Sequence, residues 1–494
     1  MSIQYQEIPA NNLVPIFATE FDNSLASKSG PMPWKNLIIG QAKAGAPSAL
    51  TKINTVEEAA AVYGSGSQIH LMVKAFRKNA KYMDLYVIGL QPESEAKSAE
   101  ATLTVSGPAT ESAPLYLTIG GQAVTVSVAN GKTAAEIAAS IVAKIASLPD
   151  LPVEAEAESN VVTVTAKDNG AAGNDIGIFL NFNQGEKTPA GVSIAEFASV
   201  DRVYLSGGVG DAEFSDAKVG NLIAGTWFNA IAIAKGDNTT TGNIAYIKGL
   251  LDDRWTAMVQ QTGVLFYSVN GDKSAQVTAG EARNSQVLCI PGLPKSPSLP
   301  CEIAAGAMGV VAMTALNDPA VPLANWPIAG IVAPKLSDRL DLNGKNDMLR
   351  AGVALLDAGE DGTVYLKRTV TTYKRNAANV ADTSYQQLEK IFTLSFLRWD
   401  WNAYLGGKYP HAKLADDGNE YGPGQVVMTP KLGKAEILTR YKYWMDKGLV
   451  QNFEEFKANV VVERDPDDST ALNFLIPADL IDQLLICKSK IQFK

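Results

Sequence analysis

Two histidines, His70 and His411, are the only imidazoles in 494 residues. A serine hydrolase relay needs an imidazole within hydrogen-bond reach of a serine and a carboxylate. His70 stands in "QIHLMVKAFRKNA", a helical stretch with Ile69, Met72, Val73 and Phe76 on one stripe. It reads as a partly buried structural side chain. His411 lies in the loop "KYPHAKLADDG", and neither has a nucleophile-elbow G-x-S-x-G beside it. The glycines Gly207, Gly208 and Gly210 of "SGGVGDAEF" follow a strand pattern, where a dinucleotide loop would sit. Glu213 occupies the place of the third glycine and no Walker lysine follows, so a plain connection is expected. Asp416 and Asp417 lack the alternating ligands and closing glutamate of a calcium loop. Trp399, Trp401 and Tyr404 in "RWDWNAYL" lack the interleaved basic residues of a base-stacking groove, and core or subunit packing is expected of them. Cys289, Cys301 and Cys487 match no zinc or redox spacing and read as buried, reduced thiols. The net charge of −9 argues against nucleic acid or an anionic membrane surface as partner. No catalytic residue, metal ligand or cofactor is assigned.

The elements around these residues are easier to read than any chemistry. Residues 1–30 read as an extended arm, "VPIFATEF" followed by the turn-rich "DNSLASKSGPMP". "NLIIG" and "MDLYVIGL" are buried-strand runs separated by helical stretches, the first opened by a Thr55–Glu58 capping box. From about Gln91 to Ser199 the texture changes to alternating strands with Gly and Asn turns. One helix sits among them, capped by Thr133 and Glu136, so a β-rich domain is expected to be inserted here. "DRVYLSGGVGD" is expected to return the chain to the α/β pattern. "FNAIAIA", "GVLFYSV" and "QVLCIP" follow as buried strands, and Ile303–Leu316 reads as a buried core helix too short to span a bilayer. The simplest assembly is a single doubly wound α/β domain, 31–90 with 200–375, split by an insertion at 91–199. A C-terminal α+β domain over 376–483 carries two helices and a hairpin, "KANVVVE" and "ALNFLI" around the turn "RDPDDS". The last stretch, 484–494, alternates like a strand to its end. The N-terminus lacks the basic and apolar regions of a signal peptide, and synthesis in the cytosol is expected.

Several stretches, in order along essentially the whole chain, resemble the tail sheath proteins of contractile bacteriophages, Mu-like branch. They are "VPIFATEFDNS", "TVEEAAAVYG", "YLSGGVGD", "DGTVYLKRTVTTY", "KYPHAKLADDG" and "DSTALNFLIPADLIDQLLICKSKIQFK". The resemblance implies a subtilisin-like α/β domain without a working protease site, with inserted domains facing outward. It implies a subunit that polymerises helically around a tail tube and contracts to drive that tube through a host envelope. Baseplate and tail terminator proteins are further implied partners; nucleic acid and direct membrane insertion are not. The implied location is the virion tail, assembled in the host cytoplasm. Terminal arms are implied to add strands to a neighbour's C-terminal hairpin. The interface residues expected on that basis are Val14, Ile16, Phe17 and Phe21 in the first arm, and Val460, Val462, Phe474 and Ile476 in the hairpin. Leu485, Cys487, Ile491 and Phe493 in the last arm complete the set. An R-type pyocin sheath and a subtilisin-like hydrolase are the competing readings.

Overall fold

The computed structural model describes residues 32–43, 45–234, 242–422 and 424–493. The architecture is mixed α/β. It falls into two compact units. The larger takes Pro33–Phe396, Met445–Gln451 and the chain from Ala478 onward; the smaller is built on Leu397–Trp444 and Asn452–Pro477.

The larger unit opens with β1 (Asn36–Gln41), β2 (Thr51–Lys52), α1 (Val56–Tyr63), α2 (Gln68–Asn79) and β3 (Leu85–Leu90). Every residue of β1 is buried, as expected of a parallel strand covered on both faces. Thr55 caps α1 by accepting from the Glu58 N–H. The Glu58 carboxylate reaches one residue further back than a capping box requires, to the Asn54 N–H at 2.8 Å. β1 and β3 pair in parallel, and β2 adds an antiparallel edge. A Cβ on Gly89 would come within 2.6 Å of the Tyr63 ring, so only glycine lets α1 lie this close to the sheet.

The chain then leaves for the insertion. This contains β4 (Ser98–Ser106), β5 (Ala113–Ile119), β6 (Gln122–Val128), α3 (Ala134–Ala146), β7 (Val153–Glu158), β8 (Val161–Asn169), β9 (Gly177–Leu180), β10 (Ser193–Ile194) and β11 (Arg202–Tyr204). They form two four-stranded antiparallel sheets, ordered β10-β4-β8-β7 and β11-β9-β5-β6. The alternation is plain in β6, where Val124, Val126 and Val128 are buried between exposed Ala123, Thr125 and Ser127. The edge strand β7 exposes Glu154, Glu156 and Glu158, a row of like charges that blunts the edge against stray pairing. The Thr133–Glu136 capping box of α3 is complete.

One expected boundary moves. Arg202–Tyr204, expected to begin the return to the α/β sheet, pairs with β9 of the insertion instead. Bridges from Lys97 to Val209 and from Glu100 to Ser206 continue that attachment beyond residue 199. The physical reason is the open edge of β9, whose backbone groups need a partner. Arg202 also reaches Asp338 at 2.5 Å, and Asp338 takes Lys295 at 2.9 Å, so ion pairs tie β11 to the rest of this unit.

The return adds α4 (Asn221–Ile223), β12 (Ala230–Ile233), α5 (Asn243–Trp255), β13 (Val264–Phe266), α6 (Lys273–Glu281) and β14 (Leu288–Cys289). The three strands complete a sheet of order β14-β13-β12-β1-β3-β2. Then come β15 (Pro291–Gly292), α7 (Pro300–Asn317), β16 (Trp326–Ile328), α8 (Leu342–Ala351), β17 (Ala354–Ala358) and β18 (Val364–Arg368). "QVLCIP", expected as one strand, is split: β14 ends the main sheet and β15 joins the separate sheet β15-β17-β18-β16. Leu37, Ile39, Ile231 and Leu265 pack on one face with Ile244 and Ile247 of α5 and Met348 of α8. α7 extends beyond the expected Ile303–Leu316 run to 18 residues, which makes it long and apolar enough to cross a membrane by length and composition and corrects the expectation of too short a run, but 78% of it is buried inside the unit, as expected of a core helix.

The smaller unit takes the later part of α9 (Leu388–Lys408), then β19 (Lys413–Leu414), β20 (Val427–Met428), most of α10 (Pro430–Asp446), α11 (Phe453–Asn459), β21 (Val461–Arg464) and β22 (Leu472–Leu475). Residues 376–396, expected to belong here, go with the larger unit. Leu388, Ile391 and Phe392 of α9 are fully or almost fully buried, which commits the start of the helix to that core.

Candidate assembly interface

Several of the residues with chemical potential have structural partners. His70 is buried, and its Nδ1 accepts the Gly66 N–H at 3.0 Å. Burial lowers its pKa, which favours the neutral ring already used as a backbone acceptor. His411 is exposed. The Gly208 N–H donates to Asn174 Oδ1 at 2.9 Å and its carbonyl takes Asn174 Nδ2 at 3.0 Å, so the glycine turn is stitched to the insertion. Asp416 pairs with Arg464 at 3.0 Å, and Asp417 accepts the Lys431 N–H at the start of α10. Cys289 and Cys301 are buried, and burial pushes both thiols above the usual range. Cys487 is exposed, which corrects the expectation that all three thiols are buried.

The expected hairpin is present. Val461, Val462, Glu463 and Arg464 lie opposite Leu475, Phe474, Asn473 and Leu472, and no third strand joins them among the described residues. The Asp465 N–H donates to the Ala471 carbonyl at 3.1 Å at the turn end of the ladder. In an antiparallel pair the bonded positions alternate, so Val462, Arg464, Leu472 and Phe474 aim their N–H and C=O groups outward. Both long edges therefore offer main-chain donors and acceptors at regular spacing.

The two faces of the hairpin differ. Phe474 packs edge-on against Trp401 at 5.2 Å, and Trp401 lies beside Tyr404 at 6.2 Å. The aromatic run is thus the floor of the hairpin. Below it, a Cβ on Gly433 of α10 would lie 3.1–3.2 Å from Leu472, Phe474 and Val462, so glycine sets the close approach. Tyr441 of α10 stacks on Phe456 of α11 at 3.7 Å, and Lys434 Nζ donates to the Val460 carbonyl at 3.0 Å. Val460 is only 1% exposed. Of the expected hairpin residues, Val460 is therefore core, while Val462, Phe474 and Ile476 are half-buried on the floor side or just beyond it. The apolar residues that face solvent are Val461, 44% exposed, and Leu475, 62% exposed, directly opposite each other. The outward face of the hairpin is thus the one that carries Val461 and Leu475, not Val462 and Phe474. The polar Glu463 and Asn473 at the next paired positions were the available signal, since they mark the outward face.

A buried ion pair braces this floor. Asp400 of α9 receives Arg440 Nε at 2.6 Å, a second bond from the same guanidinium, and Trp444 Nε1 at 2.6 Å. Glu436 of α10 collects Tyr404 Oη at 2.5 Å, Tyr409 Oη at 2.6 Å and Lys408 Nζ at 2.8 Å. Burial pushes the Glu436 pKa up, but the three donors outweigh it and hold the carboxyl below its usual range.

In the larger unit, the C-terminal segment is anchored and then released. Gln451 N–H bonds the Asp479 carbonyl at 2.9 Å, and Ile481 N–H bonds Leu449 at 3.1 Å. From Leu484 onward there is no strand through Phe493, where a strand-like stretch was expected. Leu484, Ile486, Ile491 and Phe493 are 66–95% exposed, and Leu485 is half-buried. Val14, Ile16, Phe17 and Phe21 lie outside the described residues.

No family model matches the chain. The Mu-like prophage FluMu tail sheath protein of Haemophilus influenzae is 30% identical over 500 residues, covering 100% of both chains. Among solved structures, the sheath tail protein of Desulfitobacterium hafniense has 13% identity and a TM-score of 0.47, over 94% of this chain and 100% of that one. The sheath tail protein of Listeria innocua has 13% identity and a TM-score of 0.47, over 93% and 94%. The helical sheath of the anti-feeding prophage in its contracted state has 12% identity and a TM-score of 0.47, over 98% and 99%.

Proposed function

The chain belongs to the Mu-like tail sheath proteins, and we propose that its hairpin and terminal segments are the joints by which copies of it polymerise. The subunit forms a helical sheath around a tail tube, meets a baseplate at one end and a terminator at the other, and contracts to drive the tube through a host envelope. Assembly takes place in the host cytoplasm before the sheath becomes part of the virion tail. In this reading the β14-β13-β12-β1-β3-β2 sheet is a subtilisin-like scaffold without catalysis, and 91–199 is an outward insertion.

The observation that carries the proposal is a matched pair of exposures. Among the described residues, a two-stranded hairpin presents two open edges and an apolar Val461–Leu475 outer pair. A separate segment presents Leu484, Ile486, Ile491 and Phe493 to solvent with no strand partner among the described residues. Strand addition supplies main-chain bonds for affinity and alternate side chains for register. Each bond nets roughly 0.5–1.5 kcal/mol and each buried large apolar side chain roughly 1.5–3 kcal/mol. One such joint is weak once association entropy is subtracted, and a lattice that holds each subunit several times makes it sufficient.

Removal of residues 488–494 tests this. The truncated protein is expected to fold, stay soluble and form no tubes in negative-stain micrographs. Normal tubes from the truncated chain would refute the strand-addition joint.

A further inference from the structure

Strands β3-β1-β12-β13-β14 run parallel, and the chain order along the sheet reverses at β1. From β1 the chain goes to β3 on one side and then to β12 on the other, so the connections leave β1 and β12 in opposite directions. A crevice opens outside the carboxyl ends of two such strands, and open α/β sheets hold their ligands there. In this chain the insertion reaches into that crevice. Gln41, the last residue of β1, donates its backbone N–H to Gln68 Oε1 at 3.2 Å and its Nε2 to the Asn169 carbonyl at 2.5 Å. Gln68 opens α2, and its N–H donates to Asp168 Oδ2 at 2.6 Å. Ser67 accepts the His70 N–H of the same turn, so the insertion supplies one cap of this helix and the body the other. Lys74 of α2 pairs with Asp150 at 2.5 Å, and Lys167 Nζ donates to the Ser65 carbonyl at 3.2 Å. A Cβ on Gly66 would clash with the Leu151 carbonyl oxygen, so glycine lets the insertion come this close. Among the described residues, what remains of the crevice is a cavity of about 30 Å³ lined in part by Gln68, Asp168, Asp175, Ala234 and Cys301. That is space on the scale of one water molecule, not of a substrate.

We propose that the switch-point crevice is an interaction surface whose occupant is the chain's own insertion: the Asp168 carboxylate sits where a bound anion would, on the N-terminus of α2, and latches the insertion to the body. Unpaired N–H groups at a helix N-terminus attract negative charge, and Asp168 brings that charge from a distant part of the sequence. Burial raises the Asp168 pKa to about 6, although the Gln68 N–H and Lys167 both pull it down, so the carboxylate has left water to take this seat. The contacts made here by Gln41, Gln68, Lys74 and Lys167 are hydrogen bonds and ion pairs. A polar seam of this kind opens at less cost than a hydrophobic core. The insertion is therefore a module that lifts from the crevice while keeping its own two sheets. Lifting uncovers the donors of Gln41 and Gln68 together with the Cys301 thiol.

The latch goes beyond the polymerisation reading and is tested on the isolated full-length subunit, whether or not that subunit assembles. The cysteines report on it. Cys487 is exposed, Cys301 is buried at the crevice, and Cys289 is buried in β14 of the main sheet. Alkylation by iodoacetamide is followed at each cysteine by peptide mass spectrometry, with Cys487 as the reference for free reaction. In the wild type, Cys301 is expected to react about tenfold or more faster than Cys289, because it needs only the insertion to lift. Asp168→Gly is expected to raise the Cys301 rate by about tenfold further, the factor carried by one hydrogen bond to a charged group, and to leave Cys289 unchanged. Sodium formate is expected to slow Cys301 in Asp168→Gly by placing a free carboxylate on α2, whereas sodium chloride at the same ionic strength is not. Asp168→Asn, which keeps an acceptor oxygen for the Gln68 N–H, is expected to retain most of the wild-type protection. Equal rates at Cys301 and Cys289 in the wild type would overturn the latch, and this arm requires no variant to fold. An unchanged Cys301 rate in Asp168→Gly, an equal rise at Cys289, or equal effects of formate and chloride would each overturn it as well. Normal tubes from the chain lacking residues 488–494 would leave these labelling results standing, so the latch and the strand-addition joint fail separately.

Discussion

Replacing Asp400 with alanine should unfold the smaller unit's brace. The Asp400 and Arg440 side chains are 2% and 6% exposed, so water does not substitute for either partner. Asp400 also satisfies the Trp444 indole N–H at 2.6 Å. Removing one member of a buried ion pair typically costs about 3–5 kcal/mol, because the surviving charge keeps its desolvation penalty and loses its compensation. The orphaned indole N–H adds about 1–3 kcal/mol, less than additively because it shares the same carboxylate. A total near 4–6 kcal/mol is a large share of the roughly 5–15 kcal/mol that holds a domain together. In urea, with a slope of about 1–2 kcal/mol per molar, the transition of this unit should move down by at least about 2 M. Equilibrium unfolding followed by tryptophan fluorescence reads this directly, since Trp444, Trp401 and Trp399 all lie in the unit. Asp400→Leu combined with Arg440→Met should recover much of the loss, since two apolar side chains leave no buried charge. A midpoint shift worth less than about 1 kcal/mol for Asp400→Ala would refute the reasoning, as it would show the pair to be solvated in solution. A double variant as unstable as the single one would refute the charge argument specifically.

Val461→Glu and Leu475→Asp should each leave thermal unfolding within about 0.5 kcal/mol of wild type, being surface changes, while abolishing or severely reducing tube formation in micrographs. Val460→Asp should instead fail to fold, because that side chain is in the core. The lowered pKa of Glu436 means its ionised form is preferred in the folded state, so its contribution is present above the usual glutamate pKa and is lost as pH falls through the folded value. Glu436→Gln should therefore be less stable than wild type at pH 7 and converge with it below about pH 4, read from melting curves across pH. Glu302 behaves oppositely. It sits at the start of α7, and burial raises its pKa to about 7, against a single long bond from the Leu299 N–H. Folding favours its proton, so its contribution is present at low pH and falls away as pH rises from the unfolded value near 4.3 to about 7. Glu302→Gln should remove that fall and gain about 3–4 kcal/mol over wild type at pH 8, measured by urea unfolding.

The interface shows where sequence reading succeeds and where it stops. The hairpin and its acidic turn were legible from alternation and turn residues alone; that the aromatic stretch lies beneath them was not. Which face of the hairpin meets solvent was not. Val460, Val462, Phe474 and Ile476 were expected at a subunit interface; within the subunit Val460 is buried and the exposed apolar pair is Val461 and Leu475. A strand's period of two fixes two faces without saying which is inward, and here the choice is made by Trp401 and Gly433, which are distant in sequence. Cys487 was expected to be buried because its spacing matches no zinc or redox pattern, but burial depends on a partner surface that the described residues do not place over it.

By itself the sequence determined the local elements. The apolar runs of β1, β3 and β12, the capped helix of the insertion and the core character of α7 all follow from residues within one window of chain. It also showed that the chain has two histidines and that neither stands beside a nucleophile-elbow motif, which is a local fact. Tertiary structure decided the rest. It assigned Arg202–Tyr204 to β9 of the insertion, divided "QVLCIP" between two sheets, and drew Leu388, Ile391 and Phe392 into the core of the larger unit. Each of these is a choice among partners that a strand or helix would satisfy equally well in isolation. Periodicity is a property of neighbouring residues, whereas edge pairing and the buried face are settled by whichever distant segment completes the hydrogen bonds and excludes water.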